Sequence, residues 1–211
     1  MKAKHIAIVG ATGAVGREMF DVLQRRKFPV ASIRALASGR SAGTKVRFAG
    51  EEIEVQELRE DSFGGLDIAL FSAGGGISRR FAPCAVKAGA VVIDNSSAFR
   101  QDAGVPLVIP EINAADAAQH QGIIANPNCT IAVSLMALAP LHRAFGLKRV
   151  FAASYQAVSG TGAKAIEELR QQIEASVAGR PIEKSVYPHQ IASMSCPTSI
   201  RFGRMGTRAK R

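Results

Sequence analysis

His5-Ile6-Ala7-Ile8-Val9-Gly10-Ala11-Thr12-Gly13-Ala14-Val15-Gly16 decides the fold. It opens with a short apolar run of the kind that forms a buried strand. Three glycines at a spacing of three follow at once. Val15, Met19, Val22 and Leu23 then recur at helical spacing, which predicts a helix over about 14–24. Strand, glycine turn and helix make the first part of a βαβ unit. Gly10, Gly13 and Gly16 let a backbone come close to a pyrophosphate, and the helix start offers free N–H groups and positive dipole. Such glycines also serve tight turns that hold no ligand. The place of these three, after a first strand, favours a dinucleotide site.

Outward from that turn the pattern repeats. Ala31–Ala37 reads as a second strand, and 46–48 with 53–55 as a hairpin around Gly50-Glu51. Asp67–Ser72 and Ala90–Asp94 read as buried strands flanking a helix around 79–87. Pro106–Ile109 and Gly122–Ala125 are further strand candidates. The alternation implies an α/β fold: a Rossmann-type, doubly wound parallel sheet. After Asn126-Pro127-Asn128-Cys129-Thr130 the character changes. A helix over about 130–145, a strand over 149–157 and a helix with Ile166, Leu169, Ile173 and Val177 on one face are expected. The expected division is a cofactor-binding domain over 1–127, the beginning of an α+β catalytic and dimerisation domain over 128–192, and a basic tail over 193–211.

Composition narrows the function classes. Of 211 residues, 47% are hydrophobic and 21% charged, which is globular. No apolar run reaches the length of a membrane span, and the N-terminus lacks a secretory pattern, so a soluble cytoplasmic protein is expected. Three cysteines, Cys84, Cys129 and Cys196, form neither a disulfide framework nor a metal motif. The net charge of +10 suggests a polyanion partner, but half of it sits in residues 193–211. With no Trp, two Tyr and no nucleic-acid motif, a nucleic-acid role rests on charge alone.

The end of the second strand bears on which dinucleotide is bound. NAD sites usually place a carboxylate there for the ribose 2′-hydroxyl. Here Ser38, Arg40, Ser41 and Lys45 follow instead. Hydroxyls and a guanidinium suit a 2′-phosphate, which favours NADP over NAD. An ordinary basic loop is the alternative. Cys129 opens a mainly apolar helix behind Asn128, a good cap. A helix start attracts negative charge, and its N–H groups can hold an oxyanion. Cys129 is therefore either a nucleophile or a small core residue, whereas Cys84 fits the core reading. A cysteine beside a nicotinamide points to aldehyde oxidation through a thioester.

Six motifs in order then resemble the bacterial aspartate-semialdehyde dehydrogenases: Gly10–Gly16, Ser72–Gly75, Asp94–Arg100, Val108–Asn113, Asn126–Thr130 and Tyr155–Gly162. The likeness runs from about Lys4 to Ala192. It implies NADPH-dependent conversion of L-aspartyl-4-phosphate to L-aspartate-4-semialdehyde and phosphate, the step toward lysine (through diaminopimelate), methionine, threonine and isoleucine. By the same resemblance Cys129 forms the acyl-enzyme, Gln156 orients substrate at the thioester, and Arg100 binds phosphate. Thr12, Gly13, Ala14, Val15, Arg40, Ser41, Ser159 and Gly160 are implied as NADP contacts. A small-molecule substrate and a homo-oligomer are implied; no metal, membrane or nucleic acid is.

The resemblance has limits. Family members are longer, and their acid/base histidine and substrate-carboxylate arginine lie in the part unmatched here. None of His5, His120, His142 and His189 occupies that histidine's motif. Little turnover is therefore expected from these residues alone, and a non-catalytic NADP-binding fragment is the alternative function. The tail departs from the family in a specific way. Relatives continue with a peptide like FNVLPHIDSF. The DNA string TTCAATGTCCTGCCCCACATCGATTCGTTT encodes it, and read one base later its nine complete codons give SMSCPTSIR, which is Ser193–Arg201, the leftover TT being the start of a Phe codon as at Phe202. A frameshifted, disordered tail is the expectation, with Cys196 an accident of it.

Overall fold

The computed structural model describes residues 2–193; the tail beyond Ser193, with Cys196, lies outside the described residues. Two compact units divide after Gln156. The expected boundary at 127/128 lies just before the helix Cys129–Phe145.

The first unit is built on seven strands: β1 (Lys4–Val9), β2 (Val30–Ala37), β3 (Lys45–Phe48), β4 (Glu51–Glu57), β5 (Ile68–Phe71), β6 (Val91–Asp94) and β7 (Ile123–Ala125). Their order is β3-β4-β2-β1-β5-β6-β7. All neighbours are parallel except β3 and β4. That pair is the expected hairpin. Its turn residues Ala49 and Gly50 have φ of 51° and 87°, the left-handed pair that a two-residue hairpin turn requires.

Side chains alternate across the sheet and fill two cores. Ala7, Val9, Phe63, Phe71 and Val92 pack with Phe81, Ala82 and Ala85 of α2 (Gly75–Lys87). Ile8, Ala35, Val46 and Val55 pack with Phe20 of α1 (Ala14–Arg25). Helix α2 carries Pro83 in its interior, a disruption worth about 3 kcal/mol. The buried Phe81 and its alanine neighbours offset it, since one fully buried Phe contributes about 1.5–3 kcal/mol.

The parallel register places the functional edge. Leu36, Val9, Phe71, Asp94 and Ala125 form a single rung across five strands. The next residue along each is Ala37, Gly10, Ser72, Asn95 and Asn126. The strand order reverses between β1 and β5, which run parallel, and ligands of open α/β sheets bind at that reversal. The doubly wound sheet expected from the sequence is present.

Two strand expectations fail. Residues 106–109 make only an isolated bridge between Leu107 and Ala125, and the short α3 (Pro110–Asn113) begins at once. Residues 149–157 are not a strand. Phe151 and Tyr155 are exposed, and no strand among the described residues pairs with this segment. A lone strand has no ladder to close. Helix α4 (Cys129–Phe145) forms as expected but buries none of its residues, and Val133 and Phe145 face outward.

The second unit corrects the reading of its helix, α5 (Ala163–Val177). Ile166, Ile173 and Val177 are exposed. The buried face is Ala165, Glu168, Gln172 and Ala175. Backbone hydrogen bonding explains the inversion. Glu168 accepts from the N–H groups of Ser185, Val186 and Tyr187 and from the Ser185 hydroxyl. Gln172 accepts from Ile191 and Ala192 N–H and donates to the Glu183 carbonyl. A strap without secondary structure of its own is satisfied by two side chains one turn apart.

Candidate active site

The glycine turn after β1 is set by steric contact. Gly10 has φ of +90°, and a Cβ there would lie 2.4 Å from the Ser72 carbonyl oxygen. A Cβ on Gly16 would lie 2.1 Å from the Gly10 carbonyl oxygen. The first glycine thus admits the loop after β5, and the third lets α1 close onto the turn. Gly10 and Ala11 both donate N–H to the Leu36 carbonyl, which ties the turn to β2. Ala14 and Val15 are exposed at the start of α1, where first-turn N–H groups lack helical acceptors.

A second helix start lies beside the first. Gly74, Gly75 and Gly76 open α2 directly after β5, and nothing lies within 4 Å of a Cβ placed on Gly74 or Gly76. Two glycine-lined helix N-termini therefore meet at the reversal point. The run Ala73-Gly74-Gly75-Gly76 was the available signal for the second, but glycine content alone does not separate a ligand cradle from a flexible turn.

Ser38, Arg40 and Ser41 sit in and before a 3₁₀ turn, Gly39–Ser41, after β2. Thr12 Oγ1 donates to Ser41 Oγ over 3.3 Å, so the turn after β1 meets the turn after β2. Arg40 is exposed and has no carboxylate partner among the described residues. Open glycine backbone, two helix starts and an unpaired guanidinium form a donor set suited to a dinucleotide with an extra phosphate.

The loops after β6 and β7 carry the rest. Asn128 caps α4 with its side chain, accepting from Thr130 N–H at 2.9 Å and Ile131 N–H at 3.4 Å. Cys129 is the first residue of the helix and is exposed; Cys84 is half-buried in α2. Arg100 is half-buried. Its Nε donates to the Asn126 carbonyl at 2.8 Å and its Nη2 to the Asn95 carbonyl at 3.1 Å. It thereby joins the two loops and keeps donor capacity for a further anion. Gln156, exposed at the end of the first unit, accepts from Thr130 Oγ1 at 3.3 Å. The first unit therefore links Arg100, Cys129 and Gln156 through Asn126, Asn128 and Thr130. Ser159 and Gly160 belong to the second unit, in the 3₁₀ turn Val158–Thr161. Thr161 Oγ1 of that turn accepts from the Tyr187 hydroxyl over 2.7 Å.

Among the described residues no cluster of His, Cys, Asp or Glu could hold a metal, and no helix is long and apolar enough to cross a membrane. Sequence reasoning missed one buried polar group at this edge, Asp94, which is fully buried at the end of β6 and hydrogen-bonded to Ser78 and Ser96.

Comparison with known proteins bears on the family and the fold. Residues 5–120 match the model for the semialdehyde dehydrogenase NAD binding domain, and 138–207 match that for the semialdehyde dehydrogenase dimerisation domain. An aspartate-semialdehyde dehydrogenase of Bacillus subtilis is 49% identical over 205 residues, covering 94% of this chain and 59% of the relative. The crystal structure of aspartate-semialdehyde dehydrogenase II from Vibrio cholerae, complexed with ASA, superposes with a TM-score of 0.88. It is 45% identical, and the match covers 91% of this chain and 58% of that one. An aspartate-semialdehyde dehydrogenase with NADP from Candida albicans gives a TM-score of 0.56 at 26% identity, over 69% of this chain and 48% of that one. The chain thus spans less than two thirds of these relatives' length.

Proposed function

Since the chain belongs to the semialdehyde dehydrogenase family, we propose that it carries the cofactor and nucleophile machinery of an NADP-dependent aspartate-semialdehyde dehydrogenase. The substrate pair is L-aspartyl-4-phosphate and L-aspartate-4-semialdehyde, in the biosynthesis of lysine, methionine, threonine and isoleucine. The observation that carries the proposal is Cys129: exposed, first in a helix capped by Asn128, and one loop away from Arg100.

In the biosynthetic direction Cys129 Sγ attacks the acyl carbon of the aspartyl phosphate. The carbon–oxygen bond to phosphate breaks and phosphate leaves with the electron pair, giving a thioester on Cys129. Arg100 holds the leaving phosphate with its spare donors. The Cys129 N–H, which the Asn128 cap does not take, and the Gln156 amide stabilise the oxyanion that forms at the acyl carbon. NADPH, when bound, supplies the hydride that reduces the thioester carbonyl. Within the first unit Gly10, Thr12, Gly13, Ala14 and Val15 would hold its pyrophosphate, and Ser38, Arg40 and Ser41 its 2′-phosphate.

A homo-oligomer is part of the proposal. Support comes from the dimerisation-domain match over 138–207 and from exposed Phe145, Phe151 and Val177 in that stretch.

Mixing the purified chain with L-aspartyl-4-phosphate and following phosphate release tests the assignment. One phosphate per chain is expected, and none from Cys129→Ala. Release that is unchanged in Cys129→Ala contradicts it. Tight NADPH binding without phosphate release supports the alternative, a non-catalytic NADP-binding module.

A further inference from the structure

We infer that Asp94 is a positioning residue that presets Arg100 and, through it, the loop leading to Cys129. The inference rests on the proposed role of Arg100 and extends it to a residue outside the site.

Asp94 ends β6 with its side chain wholly removed from solvent, an expensive place for a carboxylate unless its oxygens are satisfied. They are satisfied from two directions. Oδ1 accepts from the Ser78 hydroxyl of α2 at 2.7 Å and from Ser96 N–H at 3.2 Å. Oδ2 accepts from the Ser96 hydroxyl at 2.7 Å. Ser96 Oγ in turn accepts from Ala98 N–H at 3.0 Å. The carboxylate therefore winds residues 95–98 into a fixed turn and anchors it to α2.

That turn presents the Asn95 carbonyl to Arg100 Nη2. The backbone of Asp94 completes the arrangement, because its carbonyl accepts from Asn126 N–H at 2.9 Å. Asn126 is thus held at both ends: its N–H on Asp94, its carbonyl on Arg100 Nε. Two residues further on, Asn128 caps the helix that begins with Cys129. The buried carboxylate so sets where the guanidinium sits, and through the Arg100–Asn126 bond it steadies a loop whose start the Asp94 backbone carbonyl already holds. Burial alone would be met by an apolar residue at this point. A carboxylate that collects three donors from a loop and a helix is suited to fixing direction.

The two arms of the network allow a test that needs no turnover. Arg100 accessibility is read by its rate of modification with phenylglyoxal, located by peptide mass spectrometry. Arg34 is the internal reference, since it is also half-buried and also donates to a backbone carbonyl, that of Ser62. Asp94→Asn and Ser96→Ala are expected to raise the Arg100 rate at least about fivefold with Arg34 unchanged, and to speed amide exchange at Asn126. This is the size expected from losing roughly 1 kcal/mol of hydrogen bonding. Ser78→Ala removes the arm that does not reach the loop and is expected to lower melting temperature without altering either readout. Equal rates at Arg100 in Ser96→Ala and the unmutated chain overturn the inference. So does a rise at Arg34 that matches the rise at Arg100, which marks loss of fold. If Asp94→Asn does not fold, Ser96→Ala alone decides. A failure of the catalytic proposal would show separately, as no phosphate release from the unmutated chain.

Discussion

Thr130 Oγ1 donates to Gln156 Oε1 over 3.3 Å, which joins the residue after the candidate nucleophile to the amide proposed to face the thioester. The bond orients the amide. With Oε1 turned to Thr130, the Nε2 protons are the part of Gln156 left to donate. A donor is what an oxyanion needs. Gln156→Ala is expected to slow acylation of Cys129 by about 100-fold, the usual cost of losing one oxyanion donor. Thr130→Val keeps the amide but frees its rotation, so a loss of about fivefold is expected, roughly 1 kcal/mol. Quenched-flow measurement of phosphate release separates the two. An equal loss in both variants would show that Thr130 does more than orient.

The glycine turn makes a graded stability prediction. Gly16→Ala drives a methyl to 2.1 Å from the Gly10 carbonyl, a backbone atom that cannot rotate away. Strain of about 1–3 kcal/mol or more is expected. Gly10→Ala adds a left-handed φ to a 2.4 Å contact and should be at least as damaging. Gly64→Ala has open space and an ordinary φ, so a change within about 0.5 kcal/mol is expected. Urea melts of the three variants rank them.

Arg40 tests cofactor choice. Among the described residues it has no carboxylate partner, and it lies in the turn that Ser41 connects to Thr12. If it binds the 2′-phosphate, Arg40→Ala loses a charged hydrogen bond worth about 1.5–3 kcal/mol. NADPH affinity should fall roughly 10–100-fold while NADH affinity stays within about twofold. An equal fall for both nucleotides would place Arg40 elsewhere on the cofactor or show a general loss of charge.

Glu168 gives the second unit an acid-sensitive element. Burial pushes its carboxyl up, but the donors from Val186, Ser185 and Tyr187 together outweigh burial and hold it below its ordinary value of 4.5. A group depressed in the folded state stabilises above its unfolded pKa and loses that contribution as pH falls through the folded one. Protection of the Ser185, Val186 and Tyr187 amides, taken relative to their intrinsic exchange rates at each pH, should therefore fall below about pH 4.5. In Glu168→Gln the same protection should be reduced already at pH 7, with little further change on acidification. Protection in the unmutated chain that stays constant across that range would contradict this.

The extent to which the sequence revealed the site follows from range of interaction. Residues 5–16 were readable because strand, turn and helix are adjacent in the chain, and periodicity records them. The hairpin and the Asn128 cap are equally local. Arg100 was legible only through its resemblance to a known motif. Its partners, Asn95 and Asn126, are 5 and 26 residues away, and only the sheet register brings the latter close. Helix α5 was misread because apolar spacing is normally the inward face. Here a strap rich in unpaired N–H groups made Glu168 and Gln172 the buried ones. The segment 149–157 has strand composition, but strand formation is a property of pairs, and its sequence does not encode a partner.

Acylation of Cys129 is the central claim. The full chain would be mixed with L-aspartyl-4-phosphate in the absence of NADPH, acid-quenched and digested, and the Cys129 peptide examined by mass spectrometry. An aspartyl adduct on Cys129, absent in Cys129→Ala and discharged when NADPH is added before the quench, is the predicted result. An unmodified Cys129 in a chain that still binds NADPH, or an adduct on Cys84 instead, would contradict it.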